Sequence, residues 1–255
     1  MTYKIGWLFP DVLYLHGERG NILALEKAAK AAGIDTEIIK ISLEDPSFNP
    51  MDFDFLFCPP GEISTFPVII EYLKPYTDAL KTYIDSGHPL LVTGTSICFW
   101  GKTITREDGS VIKGLNILNV SAEEKNDVYG DDLYYETTYN HTKMNIFGNQ
   151  IQMHDLKIND ETPFGKVIYG YGNTGHSRNE GVVKNNAIFT HALGPVLVLN
   201  PWLTESLIKI MAANKNTPLD HFKLNTDLEA QSLESKLAFI KKKDTTLKTY
   251  FELED

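Results

Sequence analysis

The side chains able to do chemistry in this chain are few, and their spacing limits what they could do. Two cysteines occur among 255 residues, Cys58 and Cys98. Cys98 follows the glycine turn at Gly94 and stands beside Phe99 and Trp100. A thiol there is either a nucleophile near the start of a helix, where the helix N-terminus lowers its pKa, or a buried core thiol, the commoner fate of a free cysteine. The seven histidines (His16, His88, His141, His154, His176, His191 and His221) show no HxH, HExxH or cysteine-paired spacing. The pattern predicts no metal site and no metal cofactor. Thr95 and Ser96 place two hydroxyls after Gly94, without a base visible nearby in the sequence. GERGN (Gly17 to Asn21) opens a helix and could present backbone N–H groups to an anion, although a glycine pair equally serves a turn. Arg19 and Asn21 are its candidates for contact with a ligand or partner. The glycines of GYGNTGH (Gly170 to His176) read as turn residues.

These groups are positioned by an alternation of short apolar runs and helix-period segments: Ile5 to Leu8, a helix over Asn21 to Ala32 closed by Gly33, Thr36 to Ile41, Phe55 to Cys58, a helix over Pro75 to Ser86 stopped by Gly87, and Pro89 to Thr93. Such punctuation predicts βαβ units and a mostly parallel sheet covered on both faces, with reactive groups at the carboxyl ends of strands. That directs attention to the segments after Cys58 and after Thr93. The second half adds strands, among them Leu133 to Thr138, Lys166 to Tyr171 and Ala187 to Thr190, with longer loops. From Pro201 the pattern is helical again, and Leu228 to Lys243 carries Leu233, Leu237 and Ile240 on one face above Lys241, Lys242 and Lys243. This last helix packs on its own domain or docks a partner. The expected division is a domain over residues 1–204 and a helical extension over 205–255, with no internal repeat.

The net charge of −10 and a pI near 5.2 disfavour a nucleic-acid or anionic-membrane surface. The expected partners are proteins or small molecules. The start, MTYKIGWLFP, lacks the basic region and long apolar run of a secretory signal, and no stretch approaches the roughly 20 apolar residues that cross a bilayer. With so few cysteines, a reducing cytoplasmic setting is expected.

Four segments carry a resemblance: LYLHGERGNILALEKAAKAAGI (Leu13 to Ile34), IKGLNILNVSAEEKN (Ile112 to Asn126), FGKVIYGYGNTGHSRNEG (Phe164 to Gly181) and GPVLVLNP (Gly194 to Pro201). In this order they resemble the glutaminase subunit of lipid II isoglutaminyl synthase, in the cobyric-acid-synthase-like (CobB/CobQ-like) branch of class I glutamine amidotransferases. GNQIQM (Gly148 to Met153) echoes a Gly-x-Glu-Ile-His-Met signature of that branch, with Gln150 for the acid and Gln152 for the histidine. The resemblance implies a flavodoxin-like α/β fold, glutamine hydrolysis, and a Mur-ligase-like partner that amidates peptidoglycan precursors.

It also implies a nucleophilic cysteine on a sharp strand-to-helix turn, in Cys-Gly-Gly-Tyr-Gln-x-x-Gly. Here the matching text is GTSICFWG, so Gly94 stands at the nucleophile position, Thr95 and Ser96 replace two glycines, and Cys98 falls on the glutamine. The implied base is the residue before a Gly-Pro pair, which is Leu193, with His191 two residues earlier. The implied oxyanion loop reads CPPGE, placing Pro59 and Pro60, which lack an N–H, where the family has glycines; only Gly61 keeps the pattern. The expectation is a pseudoenzyme that pairs with a Mur-ligase-like protein as partner or regulator, its small-molecule ligand unknown. The alternative is an active glutaminase that supplies ammonia to a peptidoglycan or cobyric-acid-like precursor through a relocated Cys98/His191 pair. Third is a small-molecule enzyme using Thr95 or Ser96.

Overall fold

The computed structural model describes residues 2–219 and 221–244. Its first half runs β1 (Thr2–Leu8), α1 (Arg19–Ala31), β2 (Asp35–Ile41), β3 (Phe55–Cys58), α2 (Phe66–Leu73), α3 (Thr77–Asp85), β4 (Leu90–Thr93) and α4 (Ile97–Trp100). Two short strands, β5 (Thr103–Thr105) and β6 (Val111–Lys113), lead to the long pair β7 (Ser121–Tyr139) and β8 (Thr142–Lys157). Then come β9 (Gly165–Tyr169), β10 (Asn179–Glu180), β11 (Val182–Lys184) and β12 (Ala187–Thr190), followed by α5 (Val196–Leu199), α6 (Pro201–Asn214) and α7 (Asp227–Lys243).

The first sheet has the order β11-β12-β4-β3-β1-β2, parallel throughout except for the hairpin strand β11 at its edge. Its central strands are buried on both faces, which is why they read as unbroken apolar runs. The pleat divides them cleanly: Leu56, Cys58, Leu90 and Val92 enter one core with α2, α3 and α4, while Phe55, Phe57 and Leu91 enter the other with α1 and α6. The second sheet has the order β10-β9-β7-β5-β6, with β8 paired to β7. The β7–β8 turn is Asn140-His141, both at positive φ (47° and 61°), the two-residue geometry that matches strand twist.

One local expectation changes. The predicted helix over Pro75 to Ser86 starts at Thr77, after a 3-10 turn at Lys74–Tyr76, and α2 precedes it unread. Its signal was present, with Pro67 in the first turn and Phe66, Ile69, Ile70 and Leu73 on one buried face. α6 runs through residue 204, with its Leu203, Leu207 and Met211 in the core. α7 packs Leu233, Leu237 and Ile240 against Tyr134, Phe147 and Tyr169, and Lys243 reaches both oxygens of Asp131 at 2.6 and 2.7 Å. Its apolar face is therefore used within the chain. No helix among the described residues is long and apolar enough to cross a membrane.

Candidate functional site

The site lies where the carboxyl ends of β3, β4 and β12 converge. After β4 the chain turns sharply at Gly94, with φ +61°, and enters a 3-10 turn, Gly94–Ser96, continuous with α4. A side chain at this left-handed position is strained, and space is absent as well. A Cβ on Gly94 would sit 2.9 Å from Pro60 Cβ and 3.1 Å from Leu193 Cδ2. Three positions distant in sequence thus meet at one point, and none of them carries a titratable group. Leu13 occupies the space over Gly61, which a Cβ on that glycine would invade.

The hydroxyls beside Gly94 tie the two turns together. Thr95 Oγ1 donates to the Gly61 carbonyl at 2.5 Å, and Ser96 Oγ donates to the Pro59 carbonyl at 2.6 Å. Ser96 is fully buried, so it holds the loop instead of offering its hydroxyl to a ligand; Thr95 is half-buried. Leu193 is fixed from the other side by a two-way backbone bridge to Asn149, at 2.9 and 2.8 Å.

Cys98 and His191 are both closed off from solvent. Burial pushes the Cys98 thiol far above its ordinary range, and that of Cys58 up to about 12. Cys98 belongs to the core cluster with Phe99 and Trp100. The His191 ring faces His154, with 3.2 Å between the two Nε2 atoms, and Nδ1 lies 3.4 Å from Glu180 Oε1. Burial holds each imidazole down to about 3 and raises Glu180 to about 8. Gln150 and Gln152 continue this buried polar line: Gln150 donates to Gln152 and Gly172, and Gln152 to the His154 and Asn173 carbonyls.

The GERGN segment divides. Arg19 is exposed, but Asn21 is buried and unavailable to a ligand: its amide donates to Glu18 Oε2 at 2.6 Å and its carbonyl accepts from Leu197 N at 2.8 Å. Glu18 was overlooked in the sequence because a charged residue at a helix start reads as a solvated one. It is 1% exposed, accepts from Gly194 N at 2.9 Å, and is raised by burial to about 7.

A mostly apolar cavity of about 400 Å³ lies elsewhere, between α1, α5 and α6, lined by Leu23, Ala24, Leu197 and Val198. Among the described residues no group of three His, Cys, Asp or Glu could hold a metal ion.

The two sheets and the strand-to-helix turn at Gly94 define a class I glutamine amidotransferase fold. The fold is shared with PurLQS from Thermotoga maritima (TM-score 0.53, 13% identity, 85% of this chain and 99% of that one) and with a crystal structure of a glutamine amidotransferase (TM-score 0.50, 15% identity, 82% and 98%). In sequence the chain is similar to the lipid II isoglutaminyl synthase (glutamine-hydrolyzing) subunit GatD of Staphylococcus aureus (strain N315), 26% identical over 87% of this chain and 89% of the relative. The corresponding subunit of Streptococcus pneumoniae (strain ATCC BAA-255 / R6) is 24% identical over 80% of this chain and 78% of its own length. No protein-family profile matches the chain.

Proposed function

We propose that this chain is a GatD-like amidotransferase subunit, of the CobB/CobQ-like branch, that does not hydrolyse glutamine and works in the cytoplasm as partner or regulator of a Mur-ligase-like protein. One observation carries the reading: the space that a nucleophile at Gly94 would need is filled by Pro60 and Leu193. Hydrolysis requires a thiolate, a base and oxyanion donors acting as one unit. Here the three corresponding positions form an apolar plug, with Thr95 and Ser96 clamping the adjacent loop. The heteromeric part of the reading is supported by the relatives, both of which are named as subunits. The helical segment from residue 205 belongs to this proposal as an extension of the domain.

The test is ammonia release from glutamine, assayed with the chain alone and together with the Mur-ligase-like protein, beside the S. aureus relative as reference. The expected result is no release above background in either case, with co-purification of the two proteins. Release that disappears in Cys98→Ser would replace this reading with that of a relocated Cys98/His191 pair.

A further inference from the structure

Glu18 is the group at which separate segments of this site meet. Its Oε2 accepts from Asn21 in the first turn of α1, at 2.6 Å, and its Oε1 accepts from Gly194 N, at 2.9 Å. Asn21 completes the link by accepting from Leu197 N. The buried Thr93 hydroxyl, at the end of β4 and next to Gly94, stands near the same carboxyl group without a hydrogen bond of its own. One side chain therefore joins α1 to the loop that carries Leu193, with Thr93 of the Gly94 turn nearby. In this loop Gly194 has φ +111° and precedes Pro195, which packs on Gly20 so closely that a Cβ there would lie 2.5 Å from Pro195 Cγ.

We propose that Glu18 is a proton-held latch: protonated, it stays uncharged in its buried site while accepting from Gly194 and Asn21, and so keeps Leu193 seated on Gly94; ionised, it draws water to itself and releases the 193–197 loop. The groups that face the carboxyl are Asn21 on α1, Thr93 on β4 and the Gly194 amide, all neutral, with Asn149 of β8 beside Gly194. His16 and Arg19, its charged or titratable neighbours along the chain, are exposed. Nothing cationic offsets the buried charge once it forms, so ionisation favours the hydrated, open loop. Burial raises Glu18 from the ordinary carboxylate range to about 7. The sign follows: the folded state holds this proton more tightly than the open one, so the closed loop is favoured at low pH and loses that advantage as pH rises through about 7.

This inference rests on reading the pocket as the closed counterpart of a glutaminase site, but its readout involves no glutamine, so either can fail without the other. The test is hydrogen exchange at the Gly194 and Leu197 amides of the full chain, together with NMR titration of the Glu18 carboxyl carbon. Between pH 5.5 and 8.5, exchange corrected for the intrinsic rate is expected to rise roughly thirty-fold at these amides, with the carboxyl titrating near 7. In Glu18→Gln the corrected exchange is expected to be flat. A carboxyl that titrates near 4.5, or corrected exchange in the wild type that ignores pH, would overturn the proposal. Both are read on the wild-type chain and do not depend on the variant folding.

Discussion

At the scale of single residues, Gly94, Pro60 and Leu193 form a mutually dependent set. Gly94 tolerates its left-handed backbone because it lacks a side chain, and Pro60 and Leu193 occupy the volume a side chain would take. Introducing a cysteine at this position alone is therefore expected to strain the backbone and collide with both neighbours. Gly94→Cys should lose about 1–3 kcal/mol of stability in denaturant titrations and gain no glutaminase activity. Combining it with Pro60→Gly and Leu193→His removes the collision, and the triple variant should recover part of that stability. If Gly94→Cys is as stable as the wild type, the filled-pocket account is wrong. The hydroxyls of Thr95 and Ser96 show the same mutual fit, since each donates to a carbonyl of the loop opposite.

Among the elements, α7 is attached most lightly. Of its 17 residues only Ile240 is fully buried, while Leu228 and Phe239 are largely exposed. Its attachment depends on the Leu233, Leu237 and Ile240 face, on the Lys243 contact with Asp131, and on Lys236 lying 4.5 Å from the Phe147 ring. An exposed ion pair contributes little, so the apolar face dominates. Ile240→Ala should cost about 2 kcal/mol or more at this contact and release the helix locally, without unfolding the first sheet. Limited trypsin digestion should then cut faster at Lys236 and Lys241 while fragments from β1 to β4 persist. Unchanged cleavage would mean that α7 is held by something other than this face.

For the whole molecule, the cluster of His154, His191 and Glu180 joins the two sheets, because His191 follows β12 of the first while His154 and Glu180 lie on β8 and β10 of the second. Both imidazoles are held down to about 3 by burial, so the unfolded chain binds their protons first. Their contribution is present above pH 6.5 and is lost as pH falls toward 3. Glu180, raised to about 8, has the opposite sign: its contribution is present below about 4.5 and is lost as pH rises through 8. His154→Gln is therefore expected to soften the acid limb, losing about 2 kcal/mol less than the wild type between pH 6.5 and 4.5 in chemical denaturation. An identical acid limb in the two proteins would exclude His154 from this role.

Much of this architecture was legible before the structure, because periodicity reports directly which residues are buried. The unbroken apolar runs of β3 and β4 predicted strands covered on both faces, and the Leu233, Leu237 and Ile240 spacing placed α7. Counting from Gly101 and from the Gly194-Pro195 pair put Gly94 and Leu193 at the nucleophile and base positions. What the sequence could not supply was partnership. Glu18 and Gly194 lie 176 residues apart, and Asn21 and Leu197 are equally distant, so nothing local marks them as one buried network. The same holds for His191, whose neighbour is an imidazole 37 residues away. The sequence by itself determined most of the elements, their burial and the residue types at Gly94, Pro60 and Leu193, since those depend on local pattern. Only the tertiary structure decided that Pro60 and Leu193 close over Gly94 and that the buried Glu18 carboxyl accepts from Gly194, since packing and desolvation depend on what each face meets.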